Sequence, residues 1–125
     1  MRFGRSYFVM VTEVRRGEIW WADWTPGRGS EQTGRRPSLV VQTNLANRNP
    51  RYPNTIVVAL STQGRDVPFH VRLEPSPDNG LSTVSYVKCE QMVTISRGRL
   101  EKRLGRVSSG ELEQVDAALR RVLSL

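Results

Sequence analysis

Apolar and polar residues alternate along this chain in short runs, and most runs end in glycine, proline or asparagine. Alternation of period two marks strands, whereas helices repeat their apolar positions every three to four residues. Val14 to Trp24 reads as a first strand. On it Ile19, Trp21 and Asp23 share one face, and Glu18, Trp20 and Ala22 the other. Tryptophans on both faces predict a strand covered on both sides. They read as core anchors, with base stacking by an exposed ring as the alternative. Pro37 to Gln42 is a second strand, and Asn54 to Leu60 a third, too continuously β-branched to keep a clean wet face. Phe69 to Glu74 alternates, turning Phe69, Val71 and Leu73 inward and His70 the other way. Ser85 to Ile95 is a further strand. Ser96 to Leu104 reads as a basic connection with a helical turn, closed by Gly105.

Only the C-terminus has a full helical repeat. Leu112, Val115, Leu119 and Val122 recur at three and four, and Ser108 with Glu111 has the spacing of a capping box. A shorter helical turn is predicted at Leu45 to Asn47. Five or more strands with turn signals between them, and one terminal helix, predict an α+β chain that is mainly β. The expected architecture is a small antiparallel sheet curled into a barrel and closed on one side by the helix. Parallel βαβ units are not expected, because no amphipathic helix separates the strands. Residues 1–13 read as a flexible leader and 14–125 as a single domain.

Composition then narrows the partner. The chain has 125 residues and a formal net charge of +7, which points to an anion. Its cations are arginines except for Lys88 and Lys102, and a guanidinium offers a planar fork for phosphate. Cys89 is the only cysteine, so no internal disulfide is possible and a reducing, cytoplasmic setting is expected. It reads as a packed thiol within a strand. One histidine and one cysteine argue against zinc, and no metal or cofactor is expected. No apolar run is long enough to span a bilayer.

The candidate chemistry begins at Gly34-Arg35-Arg36-Pro37. Proline biases the residue before it toward extended backbone. Pro37 itself fits a strand only at its start or on an edge. Arg36 thus stands where a loop becomes rigid sheet. The loop before it, Thr25 to Gly34, is glycine-rich and carries Arg28, but lacks the lysine of a phosphate-binding P-loop. Ser61 and Thr62 place hydroxyls at the end of the third strand, next to Arg65.

The order of these pieces resembles the MazF/PemK family of toxin ribonucleases. The resemblance rests on Arg16-Gly17-Glu18-Ile19-Trp20, Gly29-Ser30-Glu31, Arg36-Pro37-Ser38-Leu39-Val40-Val41-Gln42 and Asn47-Arg48. Thr55 to Ala59, Glu90-Gln91, Arg99-Leu100 and Gly105-Arg106 extend it. It departs at Val93, where the family often has arginine, and at Thr43-Asn44 in place of an asparagine-aspartate pair. The resemblance implies a homodimer of SH3-like barrels. It also implies metal-independent cleavage of single-stranded RNA at a short sequence, and a cognate antitoxin that blocks the site. DNA would be met only through the toxin-antitoxin complex.

Matched residue by residue, Arg36 is the implied catalytic arginine, and Ser61, or Thr62 beside it, the catalytic hydroxyl. RNA contacts are expected from Arg28, Arg35, Gln42, Asn44, Asn47, Arg48 and His70. RNA carries its own nucleophile, the 2′-hydroxyl. Arginine clamps phosphate well but is a poor base. The expected route is therefore 2′-oxygen attack promoted by positioning and electrostatics, with His70 a minor candidate for acid or base. Two rival readings remain open at this stage. One is a binding module for single-stranded nucleic acid without chemistry. The other is a gyrase-directed toxin on the same barrel.

Overall fold

A computed structural model describes residues 13–25 and 34–125. Residues 1–12 of the expected leader and most of the loop that carries Arg28 lie outside the described residues. Among the described residues, six strands form one antiparallel sheet: β1 (Glu18–Asp23), β2 (Arg35–Val40), β3 (Asn54–Ser61), β4 (His70–Leu73), β5 (Ser85–Ser96) and β6 (Leu100–Arg106). Their order across the sheet is β4-β5-β3-β2-β1-β6. A four-residue helix, α1 (Asn44–Asn47), joins β2 to β3. A 3₁₀ turn at Arg97–Arg99 joins β5 to β6, and α2 (Ser109–Leu123) follows.

The chain is mainly β with α, as the patterning predicts, but the barrel is not closed. The edge strands β4 and β6 do not pair with each other. The loop after β4 lies between them instead. Arg106 N–H donates to Asp78 O at 2.8 Å. A Cβ on Gly80 would sit 2.0 Å from Leu104 O, and one on Gly105 would sit 2.2 Å from Asp78 O. Glycine at both places lets two backbones touch, and this seam covers strand edges that would otherwise expose unpaired groups.

Core residues occupy both faces of the curled sheet. One cluster gathers Ile19, Leu39, Val58, Leu60, Leu73 and Val87 under Val115 and Ala118 of α2. The other gathers Ala22, Val40, Val57, Ala59, Ile95 and Trp24. Neighbours on one strand thus belong to different cores, which explains the unbroken apolar run of β3. Ser108 Oγ accepts from Glu111 N–H at 3.1 Å while Glu111 Oε1 accepts from Ser108 N–H at 2.8 Å, so the capping box at the start of α2 is complete.

Strand β6 is the main departure from the expected elements. Leu100 to Arg106 contains few apolar positions, because an edge strand exposes most of its length and charge protects such an edge. β2 also begins two residues earlier than the pattern predicts, so that Pro37 sits inside it.

Candidate active site

β2 meets β3 through Ser38 opposite Ala59, Leu39 opposite Val58 and Val40 opposite Val57. Val41 N–H donates to Ile56 O at 2.9 Å. Donors alternate sides along a strand, so the next places facing β3 are residues 39 and 37. Residue 37 is proline and has no N–H to give. The ladder stops there, while β2 continues beside β1 as far as Arg35 opposite Asp23. Carried two residues outward, the β2–β3 register sets Arg36 across from Ser61. Directly opposed residues share a face, so the guanidinium and the hydroxyl lie together where the strands stop bonding.

A cleft of about 410 Å³ opens at this point, lined among others by Trp21, Arg36, Ser61, Thr62, Leu81 and Thr83. Arg36 is half-buried, and its Nε is buried without a hydrogen-bond partner. No carboxylate among the described residues pairs with it. A buried donor left unmade costs about 1–3 kcal/mol, so an oxyanion that accepted from Arg36 would recover this energy. Ser61 Oγ accepts from Gln63 N–H at 3.1 Å, which leaves its own proton free to donate. Thr62 is exposed at the rim.

The mount is rigid. Trp24 Nε1 donates to Ser38 Oγ at 2.7 Å, and Ser38 Oγ donates to the carbonyl of Arg36 at 3.2 Å. Both Trp24 and Ser38 are buried. On the other side, the segment after Ser61 lies against a ring: a Cβ on Gly64 would fall 2.0 Å from Tyr86 Cγ. Only glycine lets the chain that carries the hydroxyls come so close to β5.

The other predicted residues divide. Arg35 is exposed, pairs with Glu101 and stands 5.5 Å from the Trp21 ring centroid, at the edge of the cleft. Its charge is already partnered, unlike that of Arg36. Gln42 and Asn47, expected to contact RNA, are buried. Gln42 Nε2 donates to Asn47 Oδ1 at 2.8 Å and to Asn54 O at 3.0 Å, and Asn47 Nδ2 donates to Gln42 O at 3.0 Å. Their amides are spent on holding α1 against β3. Asn44 Oδ1 accepts from Arg16 N–H at 2.7 Å, and Asn44 lines a different cavity together with Arg48.

His70 is held within the chain as well. Its side chain is 5% exposed, Nδ1 accepts from Arg65 N–H at 3.1 Å, and Nε2 meets the Glu90 carboxylate at 2.9 Å. The ring holds the 61–69 connection to β5 and does not line the cleft. Arg28 lies outside the described residues. Sequence reasoning missed Leu81 and Thr83, which reach the cleft from the turn after β4. It read Trp21 as a core anchor with base stacking as the alternative, and the ring lines the cleft. A turn signal gives no hint of where its side chains will be delivered.

An arginine with an unfilled N–H thus faces a strand-end hydroxyl across an interrupted ladder. Residues 15–123 match the family described as the PemK-like, MazF-like toxins of type II toxin-antitoxin systems. The chain belongs to that family. It is 40% identical over 116 residues to the endoribonuclease MazF9 of Mycobacterium tuberculosis, covering 90% of this chain and 98% of that protein. It is 35% identical over 109 residues to the endoribonuclease MazF of Staphylococcus epidermidis, covering 85% and 88%. Among solved structures, a mycobacterial endoribonuclease in complex with its cognate antitoxin aligns with a TM-score of 0.74 at 28% identity, over 90% of this chain and 96% of that one. MazF from Deinococcus radiodurans aligns with a TM-score of 0.75 at 26% identity, over 90% and 97%.

Proposed function

We propose that this protein is the endoribonuclease toxin of a type II toxin-antitoxin module, and that Arg36 and Ser61 form its reaction centre. The observation that carries the reading is the unpartnered, buried Nε of Arg36 in the same cleft as Ser61 and Thr62. Family membership and relatives named as endoribonucleases supply the substrate class.

The scissile phosphate of single-stranded RNA lies in the cleft with its non-bridging oxygens against Arg36. Charge that builds on these oxygens as the 2′-oxygen attacks is met by a donor already fixed in place, and loss of one such donor typically costs about 10²–10³ in rate. Ser61 donates to the phosphate or to the 2′-oxygen, with Thr62 as the alternative hydroxyl. The bond from phosphorus to the 5′-oxygen breaks, leaving a 2′,3′-cyclic phosphate and a 5′-hydroxyl. Arg35, beside Trp21, lies along the incoming backbone.

The active unit in this reading is a homodimer in the cytoplasm, silenced by a cognate antitoxin, with DNA contacted through the complex of the two. The exposed apolar side chains Leu45, Tyr52 and Met92 supply surface for protein contacts. An antitoxin partner is favoured by the complex solved for a structural neighbour.

Mapping the ends of fragments from a long unstructured RNA tests the assignment. Arg36→Ala is expected to remain folded by circular dichroism and to lose at least about 10²-fold in cleavage rate. Full activity in the folded variant refutes the role of Arg36. Ser61→Ala and Thr62→Ala, measured side by side, decide which hydroxyl acts.

A further inference from the structure

A second cavity among the described residues is larger than the cleft. It encloses about 570 Å³ where β2 and β5 end and β3 begins, and Arg15, Asn44, Asn47, Arg48, Arg97 and Glu13 are among its walls. Three guanidinium groups therefore meet one carboxylate. Arg97 is 1% exposed, which is rare for a charged residue without a counter-ion. Its Nη2 donates to Ala46 O at 2.9 Å and Asn49 O at 3.3 Å, but its Nε is buried and has no partner among the described residues. No salt bridge among the described residues offsets its charge. Desolvation pushes its pKa down, the direction expected of a cation held out of water without an anion.

The surroundings of Arg97 are already fixed. Asn47 also accepts from Thr55 Oγ1 at 2.8 Å, and Asn44 Oδ1 accepts from both Arg16 N–H and Asn47 Nδ2. These amides cannot turn to satisfy Arg97. Arg48 and Arg15 are exposed and stand ready at the mouth. Arg36 and Arg97 are the described residues with a buried, unpartnered side-chain nitrogen, and each lines a cavity.

We propose that the cavity between Arg15, Arg48 and Arg97 is a second phosphate-binding subsite, which takes a phosphodiester of the RNA chain remote from the cleaved bond. This rests on the endoribonuclease reading. The cavity lies at the Asn54 end of β3 and the cleft at the Ser61 end. Eight residues of strand at about 3.3 Å each separate the two by roughly 25 Å. Small barrels commonly engage about 4–16 nucleotides of single strand, a length that reaches from one cavity to the other. An RNA that fills both sites is bound by its length as well as by its sequence. Glu13 at the rim repels the anion and is the counterweight to the three arginines.

The test uses the whole protein and random-sequence 2′-O-methyl RNA of about 4 and about 16 nucleotides, which lacks the attacking hydroxyl. Arg48→Gln and Arg15→Gln, both at exposed positions, are compared with Arg120→Gln on α2 as a control for general charge. Each cavity variant is expected to weaken binding of the long RNA several-fold and to lower its salt slope by about 1, with binding of the short RNA unchanged. Arg120→Gln is expected to do neither. Equal affinity and slope in wild type and both cavity variants overturn the subsite, as does an equal loss in the control.

Inorganic phosphate distinguishes the sources of the anion. Saturation of the cavity at sub-millimolar phosphate, with no effect of RNA length, assigns it to a free oxyanion and overturns the RNA assignment. Cleavage of a long RNA by the wild type is measured in parallel. If it is absent, the endoribonuclease reading itself fails; if it is present without any length effect, only the subsite does.

Discussion

The reach of single residues is set here by what they leave unsatisfied. Ser38 is the clearest case: it accepts from Trp24 and donates to the Arg36 carbonyl, so one small hydroxyl links a buried indole to the catalytic candidate. Ser38→Ala leaves the Trp24 N–H in an apolar core. It is expected to cost about 1–3 kcal/mol in chemical denaturation, and to lower the cleavage rate beyond the loss of folded protein. A rate that tracks the folded fraction alone would leave Ser38 a purely structural role.

Cys89 behaves in the opposite way. Burial pushes its thiol up to about 12, so the native protein is expected to resist alkylation at pH 8. Because the folded state holds this proton more tightly than the unfolded chain, the group favours folding below the unfolded value of 9.0. That contribution is lost as pH rises through about 12. Rapid labelling of Cys89 in the folded protein at pH 8 contradicts this picture. The reading of Cys89 as packed was available from sequence, since it depends on near neighbours. The burial of Gln42, Asn47 and His70 was not. A polar side chain in a connection looks the same in sequence whether it faces water or spends its groups on a fold.

At the scale of elements, the legible parts are those with a local cause. The capping box and the three-four repeat of α2 depend on residues a turn apart, and β3 shows itself by its continuous β-branched run and β5 by alternating burial. β6 stayed hidden because an edge strand is defined by its neighbour, and half its residues serve solvent. The connection from β3 to β4 is shaped in the same non-local way. Gly64 has an ordinary backbone angle and no turn role, yet the Tyr86 ring fills the place of any Cβ. Gly64→Ala is expected to shift this segment, move the Ser61 and Thr62 hydroxyls away from Arg36 and reduce cleavage at least about tenfold, since misplacement of about 1 Å can cost 10²-fold. Heteronuclear spectra would report the change as shifts confined to residues near Tyr86; unchanged activity would show that the hydroxyls are positioned from β3 alone.

Across the whole molecule, the sheet bends far enough to bring its two edges near each other and then leaves them unpaired, with the Asp78–Gly80 seam between them. The sequence predicts the curl but not the opening, because the seam depends on Gly80 and Gly105 meeting backbones far away in the chain. The same holds for the site. Arg36 and Ser61 are each conspicuous at a strand terminus, but their pairing follows from a register that no local pattern encodes.

Pro37 gives this register a selective meaning. Most sheets gain from every additional rung, and Pro37→Ala would return the missing donor to the face of Leu60. The gain from one more hydrogen bond, about 0.5–1.5 kcal/mol, is comparable to the about 0.4–1 kcal/mol that a compatible proline saves by restricting the unfolded chain. The two nearly cancel, so the change is expected to leave global stability within about 1 kcal/mol. Its effect falls on turnover. With the rung restored, the amide of residue 37 should exchange slowly with deuterium, Arg36 should be drawn into the ladder, and cleavage should fall by about tenfold or more. Rapid exchange at residue 37 with full activity would show that the ladder stops for another reason. The imino acid thus trades catalysis against zippering at almost no thermodynamic cost, and a screen for thermal tolerance alone would pass over a substitution that disarms the toxin.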